Sequence, residues 1–189
     1  MFIGRKTELK QLNEQYNSNK FEFAVIYGRR RIGKTSLIQE FIKNKEALFF
    51  TGLETTQKQN LINLSQVILQ SNSENISFNS FQAALENIFE QTNKKRIIFI
   101  IDEYPYLANS YPAISSILQL LIDKNKENSK LFLILCGSSL SFMEEQVLGY
   151  QSPLYGRRTS QYKIKPFSFF ETCDYYKTFS YEEKHLSMD

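Results

Sequence analysis

The chain has 189 residues, 42% of them hydrophobic and 23% charged, which is an ordinary composition for a soluble globular domain. Its net charge of +3 is too small to indicate nucleic-acid binding by itself. No run of about 18 apolar residues exists, which excludes a transmembrane helix, and "MFIGRKTELK" lacks the layout of a signal peptide, so we expect a cytoplasmic protein.

Five short apolar segments are typical of β-strands, and helical patterns separate them. The predicted strands are 22–27, 47–51, 96–101, 131–136 and 161–165. The third and fourth, "RIIFII" and "LFLILC", show no polar alternation and are typical of central strands in a parallel sheet. Apolar residues recur at helical spacing in 33–44, 60–70, 81–91 and 111–128. Strands that alternate with helices predict an α/β fold.

The composition changes after the last predicted strand. Residues 166–189, "PFSFFETCDYYKTFSYEEKHLSMD", are aromatic and contain no strand pattern. We interpret 1–165 as the core domain and 166–189 as the start of a helical lid. Any effector domain that follows would determine the biological output.

The segment "YGRRRIGKTSL", residues 27–37, contains the spacing G-x-x-x-x-G-K-[ST]. It follows a predicted strand and opens a predicted helix, which is the context that a phosphate-binding loop requires. Gly28 and Gly33 allow the backbone to approach a phosphate closely. Lys34 can reach the β- and γ-phosphates, and the Thr35 hydroxyl can ligate Mg²⁺. The segment therefore predicts a nucleotide triphosphate site.

Two adjacent acids follow the third predicted strand in "RIIFIIDEYPYL". Ligands gather at the carboxyl ends of the strands in a parallel sheet, and Asp102 and Glu103 fall there. Asp102 fits the acid that holds Mg²⁺ through a water molecule. Glu103 fits a general base that orients an attacking water. An exposed acidic turn is the alternative interpretation.

Two further side chains are candidates for roles in catalysis. Ser138, in "LCGSSLSF", could sense the γ-phosphate or position water; the alternative is a helix cap formed by Ser138, Ser139 or Ser141. Arg157, in "SPLYGRRT", could stabilise charge on a transferring phosphoryl group. A solvated basic turn at Arg157 and Arg158 is the alternative.

These motifs together resemble the archaeal-type AAA-like ATPases, which are related to the signal-transduction ATPases with numerous domains. The resemblance is carried by "FIGRKTEL", "YGRRRIGKTSLIQEF", "IIDEYPYL", "LCGSSLSFME" and "SPLYGRRT", and it covers nearly the whole chain. It implies a P-loop fold with a five-stranded parallel sheet in the order 5-1-4-3-2. In that order Ser138 or Ser139 lies between the loop and Glu103.

The resemblance also implies a set of nucleotide-binding residues. Phe2, Ile3 and Arg5 would lie near the adenine, although a hydrophobic staple beside a helix start is an alternative for this segment. Arg157 matches the family's arginine position better than Arg158 does. The loop residues implied to bind the nucleotide are Gly28, Arg29, Arg30, Arg31, Ile32, Gly33, Lys34, Thr35 and Ser36.

Several functions remain open from the sequence. ATP is favoured over GTP because no Asn-Lys-x-Asp motif is present, and Mg²⁺ is the implied cofactor. The first hypothesis is an ATP-hydrolysing switch, in which self-association could supply the arginine. The alternatives are a DNA-associated ATPase and a nucleotide-gated protein-interaction module, with the DNA or protein partner bound through a further domain. A small-molecule kinase is less favoured because Glu103 suits activation of water.

Overall fold

A five-stranded parallel sheet, covered by helices on both faces, forms the centre of the molecule. The computed structural model describes residues 4–71 and 78–167. In chain order the elements are α1 (Lys6–Asn17), β1 (Glu22–Tyr27), α2 (Lys34–Ile42), β2 (Ala47–Thr51), α3 (Gln57–Ser71), α4 (Phe81–Thr92), β3 (Ile97–Asp102), α5 (Tyr104–Ser110), α6 (Ile114–Asn125), β4 (Leu131–Gly137), α7 (Leu140–Phe142), a π-helical segment (Met143–Val147) and β5 (Ser160–Lys163).

The strand order is β2-β3-β4-β1-β5, and every pair is parallel. This is the predicted 5-1-4-3-2 order, so the predicted α/β P-loop fold is confirmed. The strand β4 separates β1, which leads into the phosphate-binding loop, from β3, which ends in the acids. We call the end of the sheet where the strands finish the carboxyl edge, and the opposite end the amino edge.

The central strands are buried on both faces, and each face has its own core. All residues of β3 and β4 are buried, as expected for apolar runs without alternation. Successive residues of β1 point to opposite sides: Phe23 and Val25 pack with α3, α4 and α6, whereas Ala24 and Ile26 pack with α1 and α2. Burial on both faces fixes the sheet that positions the carboxyl edge.

The strand ends differ from the predicted ones at the carboxyl edge. The strands β3 and β4 each extend one residue beyond the predicted end, because Asp102 pairs with Thr51 and Gly137 pairs with Tyr27. The strand β5 ends at Lys163 rather than 165, since Gly28 turns away from the sheet after Tyr27. Asp102 is therefore held within the sheet ladder rather than in a loop.

Three short helical elements that follow β3 and β4 were not predicted. The helix α5 has only seven residues and begins directly after β3, so it is too short to show a periodic pattern. The π-helical segment and α7 follow β4. The predicted helix at 111–128 is shorter in the structure, because α5 ends before Tyr111 and α6 begins at Ile114.

None of the described helices is long and apolar enough to cross a membrane. The segment interpreted as the start of a lid, 166–189, lies outside the described residues except for 166 and 167. The proposed lid therefore stays a prediction.

Candidate active site

The phosphate-binding loop, residues 28–33, joins β1 to α2 and contains two glycines with positive φ. Gly28 has φ 155°, and a Cβ atom there would lie 2.4 Å from the Ile164 carbonyl oxygen. Gly33 has φ 87°, and no described atom outside its two chain neighbours lies within 4 Å of the position that its Cβ would take. Gly28 thus allows the loop to pack against the end of β5, whereas Gly33 leaves the amino end of α2 accessible to an anion.

Lys34, the first residue of α2, is buried and its amine is held against the loop. Its Nζ donates to the carbonyl oxygens of Gly28 at 3.0 Å and Arg29 at 2.8 Å. The first N–H groups of a helix have no partner within the helix. The Lys34 amine and those N–H groups therefore form a positively charged cradle that suits terminal phosphates. Thr35 and Ser36 follow in the first turn, and both are exposed.

Thr35 and Asp102 contact each other directly across the site. The Thr35 hydroxyl donates to Oδ2 of Asp102 at 3.1 Å, and Oδ1 of Asp102 accepts the backbone N–H of Glu103 at 3.0 Å. Burial raises the pKa of the adjacent Cys136 thiol, and the Asp102 charge raises it further, so the thiol stays protonated. A hydroxyl and a carboxylate so close together suit a Mg²⁺ ion. This ion binds oxygen ligands, usually one or two protein carboxylates together with substrate phosphates and water.

Glu103 lies directly after β3 in a left-handed backbone conformation, with φ 49° and ψ 45°. For a residue with a Cβ atom this conformation costs on the order of 1–2 kcal/mol. The Ser138 hydroxyl, from the end of β4, donates to Oε2 of Glu103 at 2.8 Å. The structure thus brings Ser138 and Glu103 together, and neither side chain is fully buried. Strained backbone of this kind often occurs at functional sites.

The three arginines of the loop, Arg29, Arg30 and Arg31, have exposed side chains. Arg30 donates to the hydroxyl of Tyr106, in α5, at 2.6 Å. Arg31 adopts φ 63°, which gives the loop a second tight bend. Ile32 turns inward, and its Cδ1 atom would lie 2.6 Å from a Cβ atom at Gly28. The loop is therefore connected to the helix that follows the acids.

Arg5 lies beside the phosphate-binding loop at the carboxyl edge. It is buried and donates hydrogen bonds to the carbonyl oxygens of Ile32, at 3.4 Å, and Lys165. Its guanidinium lies 4.4 Å from the centre of the Phe167 ring and 3.6 Å from the Glu8 carboxylate. The structure thus places Arg5 next to the loop; Phe2 and Ile3, the other residues expected near an adenine, lie outside the described residues.

Arg157 is not part of the site that this chain forms within itself. It precedes β5 at the amino edge, and the six residues of β1 separate that edge from the loop by roughly 20 Å. Its guanidinium donates to both oxygens of Asp123, at 2.9 and 2.6 Å, and to the carbonyl oxygens of Pro153 and Tyr155. Arg157 therefore lies far from the phosphate-binding loop of its own chain, and its role in phosphoryl transfer stays a prediction.

The sequence did not indicate three residues that support the site. A Cβ atom at Gly52 would lie 2.9 Å from the Glu103 carbonyl oxygen, and one at Gly137 would lie 2.5 Å from the Met143 sulfur. Tyr106 is the partner of Arg30. A glycine directly after a predicted strand, as in "FFTGLE" and "LCGSS", is a signal that the chain turns or packs closely there. No pattern indicated Tyr106.

Comparison with known families identifies the domain to which this chain belongs. The model of the ATPase domain found predominantly in Archaea matches residues 2–186. The chain belongs to this family. An uncharacterized Methanocaldococcus jannaschii protein, MJECL04, is 39% identical over 183 residues, which is 97% of this chain and 40% of that protein. An uncharacterized ATP-binding protein of the same organism, MJ0423, is 50% identical over 46 residues, covering 24% of this chain and 78% of that protein.

Solved structures with the same fold are P-loop ATPases. The Walker-type ATPase PABY2304 of Pyrococcus abyssi has a TM-score of 0.69 at 20% identity, covering 93% of this chain and 57% of that one. The Aeropyrum pernix ORC1 protein, solved in complex with DNA, has a TM-score of 0.66 at 17% identity, covering 94% and 49%. Aeropyrum pernix ORC2, solved as ADPNP-ADP complexes, has a TM-score of 0.65 at 16% identity, covering 93% and 53%.

The fold and the family therefore agree. This chain is a P-loop ATPase domain of the archaeal family, and it spans about half of the length of these solved structures and 40% of MJECL04. At these low identities the structures establish the fold alone.

Proposed function

We propose that this domain binds ATP with Mg²⁺ and hydrolyses it, so that the bound γ-phosphate and its loss switch the conformation of the carboxyl edge. The observation that carries the proposal is the convergence of four groups from three elements. Lys34 and Thr35 begin α2, Asp102 ends β3, and Glu103 follows it, with 3.1 Å between the Thr35 hydroxyl and Asp102.

Each residue has a role that its position supports. The Lys34 amine would leave the carbonyl oxygens of Gly28 and Arg29 and bind the β- and γ-phosphates. Thr35 and Asp102 would hold Mg²⁺, which when bound neutralises charge on the phosphate oxygens. Arg5, beside the loop, would lie near the adenine.

Glu103 would orient the attacking water and accept its proton. As the water oxygen bonds to the γ-phosphorus, the bond between that phosphorus and the bridging oxygen of ADP breaks. Ser138 already donates a hydrogen bond to the Glu103 carboxylate and would hold it in place or respond to the γ-phosphate. A carboxylate directly after Asp102 suits activation of water, which supports hydrolysis over phosphoryl transfer to a small molecule.

Two variants at this site separate binding from hydrolysis. Lys34→Ala removes the amine that meets the phosphates, and we expect MgATP affinity, measured by isothermal titration calorimetry, to fall about 100-fold or more because a charged interaction is lost. Glu103→Gln keeps the size of the side chain but cannot accept the proton. It should retain MgATP affinity within about threefold while phosphate release falls on the order of 100-fold.

Other results would contradict the proposal. Equal MgATP affinity in Lys34→Ala and the parent would exclude the loop as the binding site. Equal phosphate release in Glu103→Gln and the parent would show that Glu103 is not the base, and the domain would then act as a nucleotide-gated module without hydrolysis by this acid.

Arg157 would act on the nucleotide of a second copy rather than on that of its own chain. Its place at the amino edge and its pairing with Asp123 support a role in which association of two chains redirects it to the neighbour's phosphates. Phosphate release per chain should then rise with protein concentration in the parent and in Arg158→Ala, but not in Arg157→Ala. A rate per chain that does not change with concentration in the parent would remove this role.

A further inference from the structure

The loops at the amino edge carry a concentrated positive charge, with ten of the 23 Lys and Arg residues of the chain. Five loops, 18–21, 43–46, 93–96, 126–130 and 148–159, lead into the five strands. Together they contain ten Lys and Arg residues and two Glu residues, a net charge of +8. The whole chain has a net charge of +3, so the remainder is net −5. The small overall charge therefore conceals a strongly basic edge opposite the nucleotide site.

A groove of about 540 Å³ lies on this edge, and we call it the amino-edge groove. Its lining includes four cations, from Lys20, Lys126, Lys130 and Arg157, and one carboxylate, from Glu127. Residues from three loops thus direct positive charge into one concave surface. Concave surfaces lined by charges of one sign focus the field and concentrate counter-ions.

Three of these cations are unpaired within the described part of the chain. The amines of Lys20, Lys126 and Lys130 make no hydrogen bond or ion pair to any described residue, whereas Arg157 is bound by Asp123. The pKa of Asp123 is lowered first by its hydrogen bond from Arg157, and the charge of Lys126 is the smallest of the contributing causes. Three unpaired ammonium groups around one groove repel one another unless an anion lies among them.

The helix dipole accounts for only one of the three free lysines, Lys126, which is the C-cap of α6. Cations in the last turn of a helix interact favourably with its carboxyl end, and Lys124 in α6 is placed in this way. Lys20 and Lys130 instead lie two residues and one residue before the strands β1 and β4, beyond the ends of the preceding helices. The position of these two amines is explained by the groove and not by a helix.

We propose that the amino-edge groove binds the phosphate backbone of duplex DNA. Protein interfaces are depleted of lysine and enriched in aromatic residues, so three free lysines favour phosphate over a protein partner. Single-stranded binding uses exposed aromatic rings on which bases stack. The one aromatic residue of the lining, Phe21, is instead stacked on Phe89 at 6.4 Å, which favours a duplex. Contacts to the backbone alone give binding without sequence preference.

The test compares two triple variants that change the net charge equally. The first is Lys20→Gln, Lys126→Gln and Lys130→Gln. The second, the control, is Lys6→Gln, Lys10→Gln and Lys58→Gln, which are exposed lysines of α1 and α3. The probe is a fluorescently labelled DNA duplex of about 20 base pairs, with affinity measured by anisotropy over a series of salt concentrations and without nucleotide.

The proposal predicts different effects of the two triples. In the first triple variant, which removes the three lysines of the groove, the slope of log DNA affinity against log salt concentration should fall by about 2 to 3. Its DNA affinity at low salt should fall about tenfold or more. The control triple should lose less than about threefold. MgATP affinity should be unchanged in both, so a failure of DNA binding is distinguishable from a failure of the ATP site.

Four outcomes would contradict the proposal, the last of them only in its choice of duplex DNA. The first is no binding of the duplex by the parent at low salt. The second is an equal loss in the two triples, which would indicate attraction by net charge alone. The third is a change of oligomeric state, measured by light scattering, in the groove triple without a change in DNA affinity, which would make the groove an interface between copies. Tighter binding of a single strand than of the duplex would contradict the choice of duplex.

Discussion

At the carboxyl edge, Gly28 and Glu103 have backbone conformations that most residue types adopt only at a cost in free energy or cannot adopt at all. Gly28 has φ 155° and no room for a Cβ atom, and Glu103 has φ 49° despite its side chain. The strain at Glu103 is offset by the sheet ladder before it and by the hydrogen bond from Ser138. Local stability is thus reduced at the residues proposed to bind phosphate and activate water.

Gly28→Ala should destabilise the fold as well as the site. The new Cβ would lie 2.4 Å from the Ile164 carbonyl oxygen and 2.6 Å from Ile32, and backbone must move to relieve the contact, at a cost of roughly 2–4 kcal/mol. Thermal or urea denaturation measures this change in the free energy of unfolding.

Gly156→Ala is the matched control for Gly28→Ala. Gly156 also has positive φ, 73°, but no described atom lies within 4 Å of its Cβ position, so only the backbone conformation costs free energy, about 1 kcal/mol. Equal destabilisation by the two substitutions would contradict the close packing of the loop against the end of β5.

Among the elements, α5 connects the phosphate-binding loop to Glu103. Its N-cap is Glu103, and its residue Tyr106 accepts the hydrogen bond from Arg30 of the phosphate-binding loop. Gly52 and Gly137, at the ends of the neighbouring strands, allow close contact with the backbone of Glu103 and with Pro105. If the phosphate-binding loop moves when nucleotide binds, α5 would transmit that movement to Glu103, the proposed general base.

Tyr106→Phe tests this connection because it removes only the hydroxyl that Arg30 contacts. We expect kcat for ATP hydrolysis to fall about three- to tenfold, corresponding to one hydrogen bond to a charged group, with MgATP affinity within about twofold. Tyr111→Phe is the control: Tyr111 follows α5 and stacks on Phe81, and its hydroxyl makes no hydrogen bond to a described residue. Equal kcat in Tyr106→Phe and the parent would show that the contact has no role in hydrolysis.

The elements also show how far the sequence could predict the structure. The strands β1 and β2 match their predicted limits because apolar runs bounded by polar loops mark buried strands. The phosphate-binding loop was identified because its glycines, lysine and threonine are close in sequence. The place of Ser138 beside Glu103 followed from the strand order that the family resemblance implied. The helix α5 and the contact of Tyr106 could not be predicted from the sequence pattern, since they depend on the distances between strand ends. The amino-edge charge became visible only once five separate loops were assembled at one edge.

At the scale of the whole molecule, the parallel sheet separates the proposed nucleotide site from the basic amino-edge groove. The carboxyl edge holds the phosphate-binding loop, the two acids and Arg5, and the amino edge holds Arg157 and the unpaired lysines of the groove. This separation follows from topology, since parallel strands place all of their carboxyl ends together. The edge proposed to bind nucleotide is therefore roughly 20 Å, the length of β1, from the edge that is strongly basic.

The most direct measurement of the proposed site is a titration of Mn²⁺ and ATP followed by electron paramagnetic resonance, with Mn²⁺ replacing Mg²⁺. Thr35→Val is nearly isosteric but removes the hydroxyl that lies 3.1 Å from Asp102. With ATP present, we expect one tightly held Mn²⁺ per chain in the parent, and affinity about tenfold or more weaker in Thr35→Val, because an oxygen ligand is lost. Equal Mn²⁺ affinity in the two proteins, or no bound Mn²⁺ in the parent, would contradict the proposed site.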